Sequence, residues 1–230
     1  MGPSMNDYSV ETLDSLCRTI ANHLRKTSTL FLAIDGPGGS GKSTLARSIA
    51  QRCPTSTILQ MDDFFLPTDF RPANSGPTGD IGSDQDWRRM RDQVLTPLSE
   101  GRDARYQRYD WASDNLQEWH DIPVGGIVII EGVYSLRQEL RGFHDLRIWV
   151  DCPKAVYLAR GLERSLLEWP VRPVDESRAL WEDRWIPAEE RYAREHRPRA
   201  VADIIIDTSG RIPVDVASEV VRVGPSRTGS

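Results

Sequence analysis

This sequence has little cysteine and no long hydrophobic run. Cys17, Cys53 and Cys152 are far apart and odd in number, with no CxxC or Cys/His cluster beside them. That excludes a disulfide framework and a cysteine-based zinc site, and it predicts reduced, buried thiols in a cytoplasmic protein. No apolar stretch approaches the roughly 20 residues of a membrane-spanning helix, and the first residues carry no signal-peptide core. Positive charge is not in excess: 29 Lys and Arg against 34 Asp and Glu give a net charge of −5, which argues against a general nucleic-acid binder. Neither a membrane nor a nucleic acid is therefore expected as a partner. Met1–Ser4, ahead of a second methionine at Met5, read as an expression scar, and one domain over 5–230 is expected, a length that a single core can serve.

What is present begins with one stretch, Asp35-Gly36-Pro37-Gly38-Gly39-Ser40-Gly41-Lys42-Ser43-Thr44. It contains the GxxxxGKS pattern, with the apolar run Leu30–Ile34 before it and a helical pattern from Ser43 to Gln51 after it. Gly36, Gly38, Gly39 and Gly41, with Ser40 between, keep side chains away so that successive N–H groups can converge on phosphate oxygens. The following helix adds the positive end of its dipole. Lys42 supplies an ammonium for the outer phosphates, and the Ser43 hydroxyl, followed by Thr44, is placed for Mg²⁺. A rival reading exists: Gly36, Gly38 and Gly41 also spell GxGxxG, and Asp62 lies about 20 residues on, where a dinucleotide fold places an acid. A dinucleotide site has no use for a Lys-Ser pair after the third glycine, whereas a triphosphate–Mg²⁺ site needs both.

Along the chain, Val10, Leu13, Leu16, Cys17, Ile20 and Leu24 recur at helical spacing. Thr57–Met61 reads as a strand, Pro67–Gly82 as a long loop, and 85–98 as a helix. Ile127–Ile130, Leu146–Val150 and Ile204–Ile206 are short apolar runs that read as buried strands. Alternation with helices predicts an α/β fold of three layers, a parallel sheet flanked by helices. Ligands of such sheets bind beyond the carboxyl ends of the strands, so the acids there are the ones to inspect. Asp62 and Asp63 end one strand and Glu131 another. Asp62 could take a hydroxyl proton and Glu131 could hold Mg²⁺, although acids at strand ends also cap turns.

These residues resemble the uridine kinase and phosphoribulokinase group of P-loop kinases. The carriers are DGPGGSGKST, MDDFF at 61–65, YDW at 109–111, IIEGVYSL at 129–136, VDCPKAVYLAR from Val150 and ADIIID at 202–207, all in the family's order. The resemblance implies a P-loop NTPase fold with a helical lid, about 160–199, and transfer from MgATP to a hydroxyl of a small molecule, first of all a nucleoside. It implies that Asp62 is the base and that Glu131 helps hold Mg²⁺. It implies too that Phe65, Tyr109 and Trp111 surround the acceptor, that Asp86 grips sugar hydroxyls, and that Arg160 and Arg164 cover the phosphates. Asp114 stands where uridine kinases place a histidine that reads the pyrimidine edge. A carboxylate only accepts hydrogen bonds, so a different base, or a sugar or other alcohol, is the alternative acceptor. Tyr109 and Trp111 could instead be core, the two arginines a solvated ion-pair face, and Trp181 and Trp185 read as packing. A nucleotide-dependent switch or regulatory ATPase is the competing class, but the chain has no NKxD and no LSGGQ-like segment.

Overall fold

The computed structural model describes residues 7–24, 28–73, 76–168 and 171–224, so the expected scar at Met1–Ser4 lies outside the described residues. Strand β1 (Tyr8–Thr12) leads directly into helix α1 (Leu13–Leu24). The helical spacing expected from Val10 therefore starts three residues late. Thr12 decides the boundary, because its Oγ1 accepts the Ser15 N–H at 3.2 Å and caps the helix. Val10 instead faces Val221 in an edge strand.

Strand β2 (Thr29–Asp35) is buried at all seven positions and delivers the glycine-rich turn to helix α2 (Lys42–Arg52). Strand β3 (Ser56–Gln60) ends in a 3₁₀ turn, Met61–Phe64. A long connection then reaches helix α3 (Trp87–Met90), which runs through a π-helical turn, Arg91–Leu95, into α4 (Thr96–Ser99). Strands β4 (Ala104–Asp110) and β5 (Asn115–Ile122) form an antiparallel hairpin, a sheet of their own. Strands β6 (Gly126–Glu131) and β7 (Leu146–Asp151) follow. Helix α5 (Lys154–Glu168) then leads to α6 (Val174–Ala179), which continues through a second π-helical turn, Leu180–Trp185, into α7 (Ile186–His196). The short helix α8 (Pro198–Val201), β8 (Ile204–Asp207) and β9 (Glu219–Val223) close the described chain.

The main sheet has the order β1-β9-β8-β7-β2-β6-β3. The five strands from β8 to β3 are parallel, as expected of the apolar runs, while β9 and β1 join antiparallel at one margin. Period-two alternation splits each inner strand between two cores. Leu30, Leu32, Ile34, Ile127 and Ile129 pack with α1 and α2, whereas Phe31, Val128 and Ile130 pack with the α3–α4 helix and the hairpin. With β2 between β6 and β7, the phosphate loop rises at the centre of the sheet's carboxyl edge. Cys17, Cys53 and Cys152 are free and buried, as the sequence predicted.

Candidate active site

The loop between β2 and α2 is held from below and from both sides. Asp35, fully buried, accepts from Gly36 N (2.7 Å), Leu136 N (2.8 Å) and the Tyr192 hydroxyl (2.6 Å). Burial outweighs these donors and pushes its carboxyl up to about 6. Gly39 and Gly41 have φ of 77° and 96°, the left-handed region where glycine is least strained, and Gly41 is the residue that turns the chain into α2. On the outer side Thr208 Oγ1 donates to the Ser40 carbonyl at 2.8 Å. Lys42 is buried, with Nζ donating to the Pro37 carbonyl at 2.7 Å. Ser40 Oγ is buried among the loop atoms without a protein partner, a polar atom that a phosphate oxygen would satisfy.

Asp62 and Asp63, neighbours in the turn after β3, have opposite surroundings. Asp63 is buried, accepting from the Tyr106 hydroxyl (2.7 Å) and paired with Arg108 (3.1 Å). It fastens the hairpin to the sheet. Asp62 is open to water, in a cleft whose walls surround it on the remaining sides. Those walls, then the Glu131 carboxylate, push it up to about 6, while Lys42 and Arg164 pull it the other way. Gln85 Nε2 donates to Asp62 Oδ1 at 3.3 Å, leaving the second oxygen without a protein partner among the bonds of the described residues. Glu131, nearly buried, accepts from Gln60 Nε2 at 3.2 Å.

No group of three or more His, Cys, Asp or Glu side chains among the described residues could by itself hold a metal ion. The donor set nevertheless suits Mg²⁺: hard oxygens from Glu131 and Ser43, in a site whose carboxylates outnumber its lysine, with phosphates and water completing the shell.

Three rings gather beyond the Asp62 turn, linked to it through Gln85, which pairs with Phe65 and donates to Asp62. Phe65 and Trp111 have centroids 4.7 Å apart, Tyr109 meets Trp111 edge-on at 5.0 Å, and the Arg71 guanidinium lies over Phe65 and Tyr109 at 5.4 and 5.6 Å. A bulge between Gln107 and Tyr109 explains the set: three residues apart on a strand, Tyr106 and Tyr109 should face opposite ways, yet both are buried. Trp111 is 51% exposed, so it is not core. Asp114, at φ 49°, accepts from the Tyr109 hydroxyl (2.8 Å) and from Thr68 N (3.0 Å) beside Arg71. Its carboxylate is spent on holding the box together.

Asp86, expected to grip sugar hydroxyls, uses one carboxylate oxygen within its own helix. Its Oδ1 accepts the Arg89 N–H at 3.0 Å, capping α3, and the Arg89 guanidinium ties that helix to the carbonyls of Asp63, Phe65 and Gln107. The two arginines of α5 also diverge. Arg160 donates to the Thr208 carbonyl (3.0 Å), on the Ser40 flank of the loop. Arg164, one turn on, is half exposed, 3.8 Å from Glu168, and acts on Asp62.

Two more groups touch the loop, one read from the sequence as packing and packed as expected, the other missed. Trp181, read as packing, is 1% exposed and donates to Ser165 Oγ at 3.0 Å. Its ring fills a slot between Gly38 and Gly161, where a Cβ on Gly38 would come within 2.9 Å of it. Glu189 accepts the Gly38 N–H at 2.9 Å. A carboxylate three residues from buried Ile186 and three from buried Tyr192 is the signal that could have found it.

Residues 31–169 match the family model "Phosphoribulokinase / Uridine kinase family". The chain belongs to this family. The uridine kinase of Ureaplasma urealyticum is 23% identical over 84% of the chain and 95% of its own length. That of Schizosaccharomyces pombe is 29% identical over 59% of the chain and 32% of its own length. D-glycerate 3-kinase from Cryptococcus neoformans superposes with a TM-score of 0.64 at 12% identity, over 90% of the chain and 98% of that protein, which shows the shared fold. The chain is an ATP-dependent P-loop kinase. No helix among its described residues is long and apolar enough to cross a membrane.

Proposed function

We propose that this kinase transfers the γ-phosphate of MgATP to a hydroxyl of a small planar-faced alcohol, a nucleoside first of all, in the cytoplasm. The observation that carries this reading is the open Asp62 carboxylate between the phosphate loop and the Phe65–Tyr109–Trp111 box. A hydroxyl set over Asp62 can lose its proton to the free carboxylate oxygen as the O–P bond forms, with ADP leaving on the phosphate-loop side. Lys42 and the loop amides stabilise charge on the transferring group, and bound Mg²⁺, held through Ser43 and Glu131, would neutralise charge on the outer phosphates. Phosphoryl transfer asks mainly for such positioning and charge stabilisation. Arg164 and the 160–199 segment, from the middle of α5 through α7, would cover the site during transfer.

The spent Asp114 favours a second acceptor. With Asp114 and the Tyr109 hydroxyl bonded to each other, the box offers ring faces and no edge-reading group from this pair. A sugar or other alcohol with an apolar face would fit as well.

The test is an ADP-release screen with MgATP against nucleosides, sugars, sugar phosphates and pantothenate-like alcohols. A kinase releases ADP in proportion to one acceptor class, and Lys42→Ala lowers that rate at least about 10²-fold while remaining folded. Release at the same rate with and without every acceptor would instead identify a switch ATPase.

A further inference from the structure

The Glu189 carboxylate occupies a place that a nucleotide phosphate would contest. Oε2 accepts the Gly38 amide at 2.9 Å, and Oε1 lies 3.0 Å from where a Cβ on Gly38 would stand, so the group rests flat against the loop. Its helix cannot easily carry it away. Three residues on, Tyr192 is tied to Asp35 at 2.6 Å, and Arg191 between them donates to the carbonyls of Pro77 and Gly79. The Trp181 ring packs beside the carboxylate, 2.9 Å from the same Cβ position on Gly38.

The charges around it make the contact uneasy. Lys42 attracts it, but the Lys42 ammonium donates to the Pro37 carbonyl. Its burial first, and then repulsion by Asp35 and Asp62, push its carboxyl up to about 7. Asp35, Asp62 and Glu189 thus share a single lysine, while the half-exposed Arg164 acts on Asp62. A bare anion entering the loop meets a resident carboxylate on an amide it would use, and it brings nothing that the displaced carboxylate can face. A polyphosphate carrying a divalent cation brings two positive charges along with its oxygens.

From this arrangement, and resting on the kinase reading above, we propose that Glu189 is a specificity-determining residue of the phosphate loop. It turns away bare phosphate and diphosphate and admits polyphosphate that arrives with its own divalent cation. The carboxylate competes for the Gly38 amide against the first kind of ligand and gains a charge partner from the second.

Binding is measured by titration calorimetry at pH 8, where Glu189 is ionised, with two probes: pyrophosphate in the presence of EDTA, and MgATP. Glu189→Gln keeps an oxygen for the Gly38 amide and removes the charge. It should tighten metal-free pyrophosphate about tenfold or more and MgATP less than about threefold, so that the selectivity between them falls. Glu189→Ala, which empties the position, should move the same ratio in the same direction, and melting curves establish that both variants are folded. An unchanged ratio in both, with wild-type protein binding MgATP, overturns the proposal and leaves the kinase reading standing. Weaker MgATP binding with pyrophosphate unmoved also overturns it, since Glu189 would then serve the loaded nucleotide only. Wild-type protein that binds neither probe overturns the kinase reading together with the proposal.

Discussion

The two halves of the cleft are made of different material. The phosphate half is backbone: glycines, amides and a helix start, raised on strands buried on both faces. Only Lys42, Ser43 and the carboxylates around them add side-chain chemistry. The acceptor half is side chain: three rings, a guanidinium and a carboxylate on a separate hairpin, joined to the sheet through Asp63, Tyr106, Arg108 and Arg89. The first half can serve every triphosphate chemistry the fold supports, because it touches what all such ligands share. In the proposed reading the second is where one acceptor is told from another, and a substitution there should change the choice of acceptor without touching the phosphate chemistry.

The sharpest way to break this comparison lies at the border, at Asp62. Asn keeps its shape and cannot take a proton, so turnover with a confirmed acceptor should fall by about 10²- to 10⁴-fold, or less if proton transfer comes late in a loose transition state. MgATP affinity should change little. Asp63→Asn should act through the fold instead, lowering the melting temperature because its carboxylate holds Tyr106 and Arg108. Steady-state kinetics and melting curves on both variants decide it. If Asp63→Asn abolishes turnover in a folded protein and Asp62→Asn does not, the base has been assigned one residue too early.

A smaller effect is expected at the far wall. Trp111 is exposed and contributes a face to the box, while Phe65 and Tyr109 are held by Arg71 without it. Trp111→Ala should raise the acceptor KM by about fivefold, in line with roughly 1 kcal/mol for an aromatic contact, and should leave the MgATP KM alone. Equal effects on both substrates would show that the two halves are not separable.

This division also explains what the sequence let one read. The phosphate half is written in local signals: an apolar run, glycines at fixed spacing, a helix pattern. Each of the strands expected from apolar runs is present, in a sheet whose five central strands are parallel. The acceptor half depends on contacts between distant residues, such as Thr68 with Asp114, or Asp63 with Tyr106 and Arg108, which no local pattern announces. The bulge that turns Tyr109 inward is likewise decided by tertiary packing, whereas the Asp86 cap is a local bond to the Arg89 amide. Strand β9 was missed because Glu219–Val223 mixes charge with valine at the sheet margin, where one neighbour suffices. Glu189 escaped because a glutamate in the run Ala188-Glu189-Glu190-Arg191 reads as a solvated helix face. Only the finished fold shows that its side points at Gly38.

The least effect, and the one that bears on both halves at once, is on stability. Asp35 and Asp62 have carboxyls pushed up to about 6, and Glu189 to about 7. A folded-state value above the unfolded one means that the folded protein holds the proton more tightly. The stability this contributes is complete below the unfolded values near 4 and is lost as pH rises through 6 to 7. Without ligand, then, these three groups lower the melting temperature between pH 5.5 and pH 8, against whatever the paired surface acids do at lower pH. Asp62→Asn removes one of the three without removing a structural hydrogen-bond acceptor of the Asp35 kind. It should melt about 2 °C above wild type at pH 8 and level with it near pH 5, an effect kept small because water reaches Asp62. MgATP should erase the difference by giving the wild-type carboxylates a cation to face. A variant that melts below wild type at pH 8 would mean that Asp62 holds the cleft together, and the open carboxylate would then belong to the architecture of the acceptor half.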